Sequence, residues 1–318
     1  MSEEDKSGID ALTGTISGVP QPIQKSIFKA IGALLDGLIE LPVAKLNQLT
    51  QAINDKTEAN KITASVLAKA AADKMVNDQK LVDIAAEAYL PTAVRKIKNR
   101  LNVAQCAADH LKDKVHEVDL DRTKSPDENW MNNFMRYAED ASSEELQDRM
   151  GRLLAGEVLN PGAYSLATLR TLNELDSNLA TDFLEAWSKS VGETVGYSEE
   201  WERGSGYERW RRLIEAGLMS SSTSIRYTPE IASNGIGLWS PMRTNDTWIN
   251  IMFRKESTAN WTHIPFTRIG REIATLLPKP DYKNNIRQAA LRIQKQGLVS
   301  ITLETAAGDT ELLWKEQV

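Results

Sequence analysis

The sequence has few of the side chains that cross-link a chain or hold a metal. Its 318 residues include one cysteine, Cys106, and three histidines. A single cysteine excludes a disulfide framework within the chain, which fits a reducing compartment such as the cytoplasm. Cys106 lies in the apolar-leaning helical stretch NVAQCAADHL, so we expect a small core thiol there.

Patterns that carry catalysis are also missing from the sequence. His110 and His116 are spaced too widely to act as zinc ligands on one helical turn, and no cysteine pair accompanies them. Neither a glycine-rich phosphate loop nor a nucleophile elbow occurs. The sequence therefore predicts a protein that is not an enzyme. It predicts no catalytic, cofactor-binding or metal-binding residues, no cofactor and no small-molecule substrate.

Positive charge is in deficit, with 38 Lys and Arg residues against 44 Asp and Glu residues and a net charge of −6. Broad binding of nucleic acid needs a large positive field, so this charge balance disfavours it and leaves only a local basic patch open. The opening MSEEDKSG has neither the basic nor the apolar region of a secretory signal. We expect residues 1–18 to form a disordered tail of a cytoplasmic protein.

Long apolar runs are absent from residues 19–117, which are predicted as a region of long helices. Lys25, Lys29, Asp36 and Glu40 interrupt the most apolar part, whereas a spanning helix needs about 20 mostly apolar residues. Two hypotheses for its apolar face stay open: contact with a partner helix, and an interfacial membrane helix over residues 22–41 at the periphery of the inner membrane. This face consists of Ile23, Ile27, Ile31, Leu34, Leu35 and Leu38.

A helical hairpin is the clearest pattern in the chain. After a polar linker at residues 118–129, a central domain is predicted at 130–195. Ser142 or Ser143 can cap its second helix, with Glu145 completing a capping box with Ser142. Asn160-Pro161-Gly162 then turns the chain, and Ser165 can cap the next helix. Pairing the two helices hides both apolar stripes from water.

Two runs of the sequence resemble a known bacterial family. They are NWMNNFMRYAEDASSEELQDRMGRLLAGEVLNPGAYSLATLRTLNELD and, upstream, IGALLDGLIELPVAKLNQLTQAINDKTEANKITASVLAKAAADK. Over roughly residues 20–180 they look like the domain of unknown function DUF2806. That family is remotely similar to the Abi-alpha proteins of abortive phage infection. Met150 stands where the family pattern has tryptophan. The resemblance implies an anti-phage setting and no particular chemistry.

Residues 196–280 are predicted as a winged-helix-like module. A helix ends at Gly217, strands follow at 224–228 and 247–254, and Thr267 caps a further helix. Trp201 and Trp210 interleave with a cluster of arginines, which predicts contact with nucleic acid or with an acidic partner. Nearby glutamates weaken that field, and many such modules bind proteins instead. The arginines are Arg203, Arg209, Arg211 and Arg212.

Residues 281–318 are predicted as a helix from about Tyr282 to Gln296 followed by a β-hairpin. Because a two-stranded ribbon is marginal alone, it should dock on the preceding module or on another subunit. Most of the eight tryptophans follow residue 186, which is typical of large anchors in a core or an interface.

The predicted fold is mainly α with a smaller α+β part: an N-terminal and central helical bundle, then a winged-helix-like module with a terminal β-hairpin. The predicted function is that of a non-catalytic interaction protein in anti-phage defence, which binds a protein partner or itself. The alternatives are a DNA-binding regulator and a peripheral membrane effector.

Overall fold

The computed structural model describes residues 30, 92, 95–96, 98–111, 125–231 and 235–317. The predicted tail and the apolar face between Ile23 and Leu38 lie outside these residues. The chain divides into two compact units, Met1–Asn173 and Glu174–Val318. Among the described residues, no helix is long and apolar enough to cross a bilayer.

All regular secondary structure among the described residues of the first unit is helical. Residues 98–111 are helical, followed by α1 (Glu128–Asp140), α2 (Glu144–Leu159) and α3 (Leu166–Glu174). Ser143 caps α2 by accepting a hydrogen bond from the backbone N–H of Leu146. The cap is thus Ser143, one residue later than the predicted Ser142–Glu145 capping box requires. The helical hairpin itself is confirmed.

A buried carboxylate holds the turn between α2 and α3. Glu157 is 1 % exposed, and its two oxygens accept hydrogen bonds from the backbone N–H groups of Gly162 (2.6 Å) and Tyr164 (3.1 Å). Gly162 has φ +89°, a conformation that glycine adopts without steric cost. The Asn-Pro-Gly sequence therefore forms the turn, and the carboxylate of Glu157, one helical turn before it, binds the N–H groups of the turn.

Close packing joins α2 to the helix at 98–111. A Cβ added to Gly151 would lie 2.5 Å from the Cβ of Cys106 and 2.8 Å from the backbone nitrogen of Ala107. Only glycine lets the two backbones approach so closely. Met150 is fully buried, so its departure from the family pattern leaves the apolar stripe intact.

The second unit combines helices with two four-stranded antiparallel sheets. The elements are α4 (Ser177–Ser188), β1 (Ser190–Val191), β2 (Thr194–Gly196), α5 (Gly204–Glu215), β3 (Ser224–Tyr227), β4 (Ile236–Trp239), β5 (Thr247–Arg254), β6 (Asn260–Pro265), α6 (Arg268–Ala274), α7 (Tyr282–Arg292), β7 (Leu298–Thr305) and β8 (Thr310–Lys315). A short 3-10 helix, Glu199–Trp201, precedes α5. We call β1-β2-β6-β3 the first sheet and β4-β5-β7-β8 the second sheet.

Local signals place most of these boundaries. Asp176 caps α4 by accepting from the N–H of Leu179, and Thr267 caps α6 by accepting from that of Gly270. Gly217 follows α5 with φ +71°, as its position at a helix end predicts. The predictions for Gly217 and Thr267 are confirmed.

Two apolar cores flank the first sheet. The helix-side core includes Phe183, Trp201, Leu213 and Ile264. The sheet-side core contains the inner faces of both sheets and one face of α7, with members Trp261, Ile249, Ile251, Ile286, Ile301 and Leu303. Strand β6 contributes Ile264 to one core and Trp261 to the other, so it lies between them.

The described residues have a mixed α/β fold with more sheet than the mainly-α prediction allowed. Strands β3 and β5, the two strands predicted for one winged-helix-like module, lie in different sheets: β3 pairs with β6, and β5 pairs with β4 and β7. The reason is that a strand pairs where its apolar face becomes buried, and the strands that complete that buried face are far away in the sequence. The terminal hairpin forms as predicted, and β7 pairs with β5 in the second sheet.

Candidate functional site

The predicted basic helix, α5, is closely surrounded by carboxylates. The guanidinium of Arg209 lies 3.3 Å from a carboxylate oxygen of Asp182 and also pairs with Glu185 and Glu200. Arg212 binds the other oxygen of Asp182 at 2.7 Å. These two arginines therefore tie α5 to α4 and to the 3-10 helix.

The other predicted contact residues do not join them in a single cationic surface. Arg211 pairs along its own helix with Glu208 and Glu215, and Arg203 is an exposed residue at the N-cap position of α5. Trp201 and Trp210 are buried in the helix-side core, where they cannot stack on bases. Contact between α5 and a phosphate backbone would have to break the pairs of Arg209 and Arg212.

The outer face of the second sheet exposes an apolar strip. Antiparallel sheets with one solvated face usually alternate apolar and polar residues, but here large apolar side chains point outward from three strands. Leu238 on β4 lies directly opposite Met252 on β5. The strip consists of Ile236, Leu238 and Met252, with exposed fractions of 56, 62 and 40 %. Leu312 on β8 is 59 % exposed, and Thr302 of β7 separates it from the strip.

Strand β4 is also an edge of the second sheet. Its sequence Ile236-Gly237-Leu238-Trp239 carries no charge, and within the described residues its outer edge has no strand partner. Gly237 packs tightly against the ring of Phe253, where an added Cβ would lie 2.5 Å from Cζ. Among the strands that the structure describes, β4 therefore has a neighbour on one side only.

A cleft of about 970 Å³ opens on the second unit. It lies where the β1–β2 turn, β3, the β4–β5 loop, β6 and the start of α7 come together. We call it the aromatic cleft. Its main polar and aromatic lining residues are Trp187, Arg226, Arg243, Trp261, Lys279 and Tyr282.

Aromatic rings and backbone carbonyls fix the arginines of the cleft. The guanidinium carbon of Arg226 lies 5.4 Å from the centre of the Trp261 ring, and its Nη1 donates to the carbonyl of Pro241. The guanidinium carbon of Arg243 lies 5.5 Å from the ring centre of Trp248. Cation–π contact of this kind holds a guanidinium in place while leaving edge N–H groups available.

The charge of the cleft is mixed. In the part of the chain that the structure describes, Arg226, Arg243 and Lys279 form no ion pair. Two carboxylates share the lining: Glu193 pairs with Arg271 at 3.1 Å, and Asp246 accepts the hydroxyl of Thr244 at 2.9 Å. The cleft thus has cationic side chains available for a negatively charged group, and carboxylates that can accept hydrogen bonds lie beside them.

Ring contacts also position the neutral aromatic residues. The indole N–H of Trp187 donates to the carbonyl of Pro278 at 3.1 Å, and its ring meets Tyr282 edge to face at 6.4 Å. Burial raises the pKa of the Tyr282 phenol, and the neighbouring Ser190 side chain partly opposes this rise. Tyr282 is therefore a neutral ring and hydroxyl at physiological pH.

His263 stacks on the cleft residue Trp261, with ring centres 4.4 Å apart. Burial lowers the pKa of His263, the Trp261 carbonyl raises it less, and the charge of Arg226 lowers it further. The imidazole is therefore held neutral, and it supports the ring on which Arg226 stacks.

Sequence reasoning missed the aromatic cleft because its residues are scattered from Trp187 to Tyr282. Neither Arg226 nor Arg243 has a basic neighbour in the sequence, so no local pattern marks them. The available signal was the density of tryptophans after residue 186, which indicates anchors without saying which of them line a cleft.

Comparison with known proteins gives one match. Residues 92–227, from the helix before α1 to the end of β3, match the family model described as "Protein of unknown function (DUF2806)". No curated protein and no solved structure matches the chain. Nothing in these comparisons supports the predicted likeness to Abi-alpha proteins. The predicted DUF2806 resemblance is confirmed for residues 92–227, and the apolar strip and the β4–β5 loop lie beyond the matched residues.

Proposed function

We propose that this chain is a non-catalytic interaction protein that self-associates through the second sheet. The observation that carries the proposal is the apolar strip beside the open edge of β4. Exposed apolar patches of this kind mark contact surfaces. Edge strands are commonly protected by Lys, Pro or a bulge, and β4 has none of these within its four residues.

The occupant that fits this edge best is a second copy of β4. Antiparallel addition of a strand satisfies its backbone N–H and C=O groups. Two copies related by a two-fold axis would place Ile236 and Leu238 of one protomer beside Leu238 and Ile236 of the other. Because β4 is uncharged, this pairing brings no like charges together. It would continue the apolar strip across both protomers.

Light scattering coupled to size-exclusion chromatography tests the proposal. We expect the full chain to run as a dimer and Leu238→Lys to run as a monomer, because the lysine would place a charged group opposite Ile236 of the second copy, in an apolar contact that cannot pair it. Leu184→Lys is the matched control, since Leu184 is 45 % exposed on α4 and should leave the dimer intact. Circular dichroism checks that both variants fold.

The concentration is varied a hundredfold, from about 1 to 100 µM, which brackets dimers with a dissociation free energy of roughly 5.5 to 8 kcal/mol. A wild-type chain that stays monomeric over this range would contradict self-association. Equal dissociation by Leu184→Lys would contradict the assignment to β4.

The biological setting that we propose is defence against phage. What supports it is the resemblance carried by the two runs of the first unit, and the comparisons add nothing to it. Plating efficiency on cells with and without the gene tests this setting, with Leu238→Lys as a third arm. We expect fewer plaques with the wild-type gene and recovery of plaques with the variant. Unchanged plaque numbers across a broad phage panel would contradict the setting.

We also propose the winged-helix-like description for α5, β3, β6 and α6. Its support is the chain order of helix, Gly217 stop, paired strands and Thr267-capped helix. DNA binding by α5 stays a prediction. The described residues give it no support, because Asp182 pairs with both Arg209 and Arg212. The membrane hypothesis concerns residues 22–41, which lie outside the described residues.

A further inference from the structure

We infer that the aromatic cleft binds a nucleotide, a small ligand with a flat base at one end and phosphate at the other. The cleft volume of about 970 Å³ lies within the range of small-molecule sites, about 300–1,000 Å³. This inference is independent of self-association, since the apolar strip contributes none of the lining residues.

Three cationic side chains from three separate segments would bind the phosphate end of the ligand. Arg226 comes from β3, Arg243 from the β4–β5 loop and Lys279 from the segment before α7. In contrast to Arg209 and Arg212, none of the three is paired with a carboxylate among the described residues. Planar guanidinium groups present two parallel N–H donors, which match the oxygens of a phosphate.

Both arginines are already held before a ligand arrives. Arg226 stacks on Trp261 and donates to the Pro241 carbonyl, and Arg243 stacks on Trp248. A turn in which the Thr244 hydroxyl and backbone contact Thr247 follows Arg243 directly. Side chains that are ordered in advance lose less entropy on binding, so their hydrogen bonds contribute more to affinity.

The half-buried rings of Trp187 and Tyr282 would stack on the base at the other end of the ligand. Their edge-to-face contact and the hydrogen bond from Trp187 to Pro278 fix both rings. A second edge-to-face contact, 5.5 Å between ring centres, joins Trp187 to Phe266 of the helix-side core. A rigid aromatic surface beside cations favours a flat ring, and stacking on it contributes about 1–3 kcal/mol per base.

The carboxylates distinguish a nucleotide from a polyanion. Glu193 and Asp246 lie in the same lining as the cations. They can accept hydrogen bonds from ribose hydroxyls or from amino groups of a base, whereas a continuous acidic polymer would be repelled by them. The mixed charge therefore favours a ligand whose negative charge is confined to one end.

Calorimetry with the full chain tests this inference. The nucleotides ATP, GTP, CTP and UTP are compared with adenosine, inorganic phosphate and polyglutamate. We expect at least one nucleotide to bind saturably, and at least about tenfold more tightly than adenosine or phosphate, since each end contributes more than about 1.4 kcal/mol. Quenching of tryptophan fluorescence should follow the same curve.

Substitutions of Arg243 test whether the nucleotide binds in the aromatic cleft. Arg243→Gln should weaken nucleotide binding at least about tenfold, and Arg243→Lys should fall between it and the wild type because charge is kept and the planar fork is lost. Arg211→Gln on α5 is the matched control and should bind like the wild type. Circular dichroism and thermal melting verify the fold of each variant, and Leu238→Lys should leave nucleotide affinity unchanged.

Several outcomes would overturn the inference. Phosphate that binds as tightly as any nucleotide would make the cleft a simple anion site. Polyglutamate that displaces the nucleotide would assign the cleft to an acidic peptide. Absence of saturable binding by all four nucleotides, or equal loss of affinity in Arg211→Gln and Arg243→Gln, would remove the nucleotide site from the cleft.

Discussion

At the scale of single residues, Glu157 organises the hairpin of the first unit. Its buried carboxylate accepts two backbone N–H groups that the turn cannot satisfy by itself. Hydrogen bonds to a charged acceptor contribute more than neutral ones, about 1.5–3 kcal/mol. The same residue also keeps Tyr164 close to α2, where its ring lies against Gly156.

We predict that Glu157→Gln lowers the free energy of unfolding by about 1–3 kcal/mol. The amide keeps the volume but replaces one acceptor oxygen with a donor, which leaves a turn N–H without its partner. Urea denaturation measures the change, with the exposed Glu144→Gln on α2 as a control within about 0.5 kcal/mol of the wild type. Equal stability of the two variants would mean that water satisfies the turn.

His263 gives the second unit a pH dependence. Its pKa in the folded state is lowered by burial, whereas in the unfolded chain it is about 6.5. At a pH between these two pKa values, the imidazole is protonated in the unfolded chain and neutral in the folded protein. The neutral imidazole therefore contributes full stability above pH about 6.5, and that contribution is lost as the pH falls through this value.

We expect the melting temperature to fall as the pH decreases from about 7 to 5, and to fall less in His263→Phe, which keeps a ring on Trp261 without a titrating group. Glu311 and Glu316 have a pKa lowered by hydrogen bonds from Arg287 and Arg254, so their effect begins below the ordinary carboxylate pKa of about 4.3. Parallel curves for the wild type and the variant would contradict the role of His263.

At the scale of elements, glycine determines how closely two helices of the first unit pack. Gly151 on α2 faces Cys106 and Ala107 with no space for a methyl group. Burial raises the pKa of the Cys106 thiol, and the charges of Asp148 and Asp109 raise it further. Cys106 is only partly buried, so it is not the core thiol that the sequence predicts, and its raised pKa does not favour a nucleophile.

We predict that Gly151→Ala destabilises the protein by about 1–3 kcal/mol through overpacking, although alanine favours helix by up to about 1 kcal/mol. Gly196→Ala is a control for the added methyl group, because its nearest atoms would be 3.6 and 3.8 Å away. The midpoint of urea denaturation measures both. A more stable Gly151→Ala would show that the helices can separate at little cost.

At the scale of the whole molecule, the chain consists of two compact units, Met1–Asn173 and Glu174–Val318. The second unit has both of its cores and both sheets within its own residues. A part of a chain with a core of its own can fold alone. The predicted domain limits at residues 130, 196 and 281 stay predictions.

We expect a fragment of residues 174–318 to unfold cooperatively and to retain nucleotide binding, because the aromatic cleft lies wholly within it. Thermal melting by near-ultraviolet circular dichroism, which reports the packing of its tryptophans, measures this. A fragment with helical signal but no cooperative transition would show that the first unit is needed for its fold.

The sequence by itself determined the features that depend on neighbouring residues. The helical hairpin, the caps at Asp176 and Thr267, the stop at Gly217 and the terminal β-hairpin all follow from side chains within a few positions of the backbone groups that they satisfy. The similarity of residues 92–227 to a family model was also readable in part, because the run from Asn129 to Asp176 is local.

The tertiary structure decided which strands pair and which charges are available. Strand β3 joins β6 instead of β5 because the first sheet must cover two cores, a requirement that no short segment contains. The arginines of α5 looked available in the sequence, but Asp182 reaches them from another helix, while Arg226 and Arg243 come together only through the sheets. Long-range burial and pairing determine these outcomes, and local sequence does not encode them.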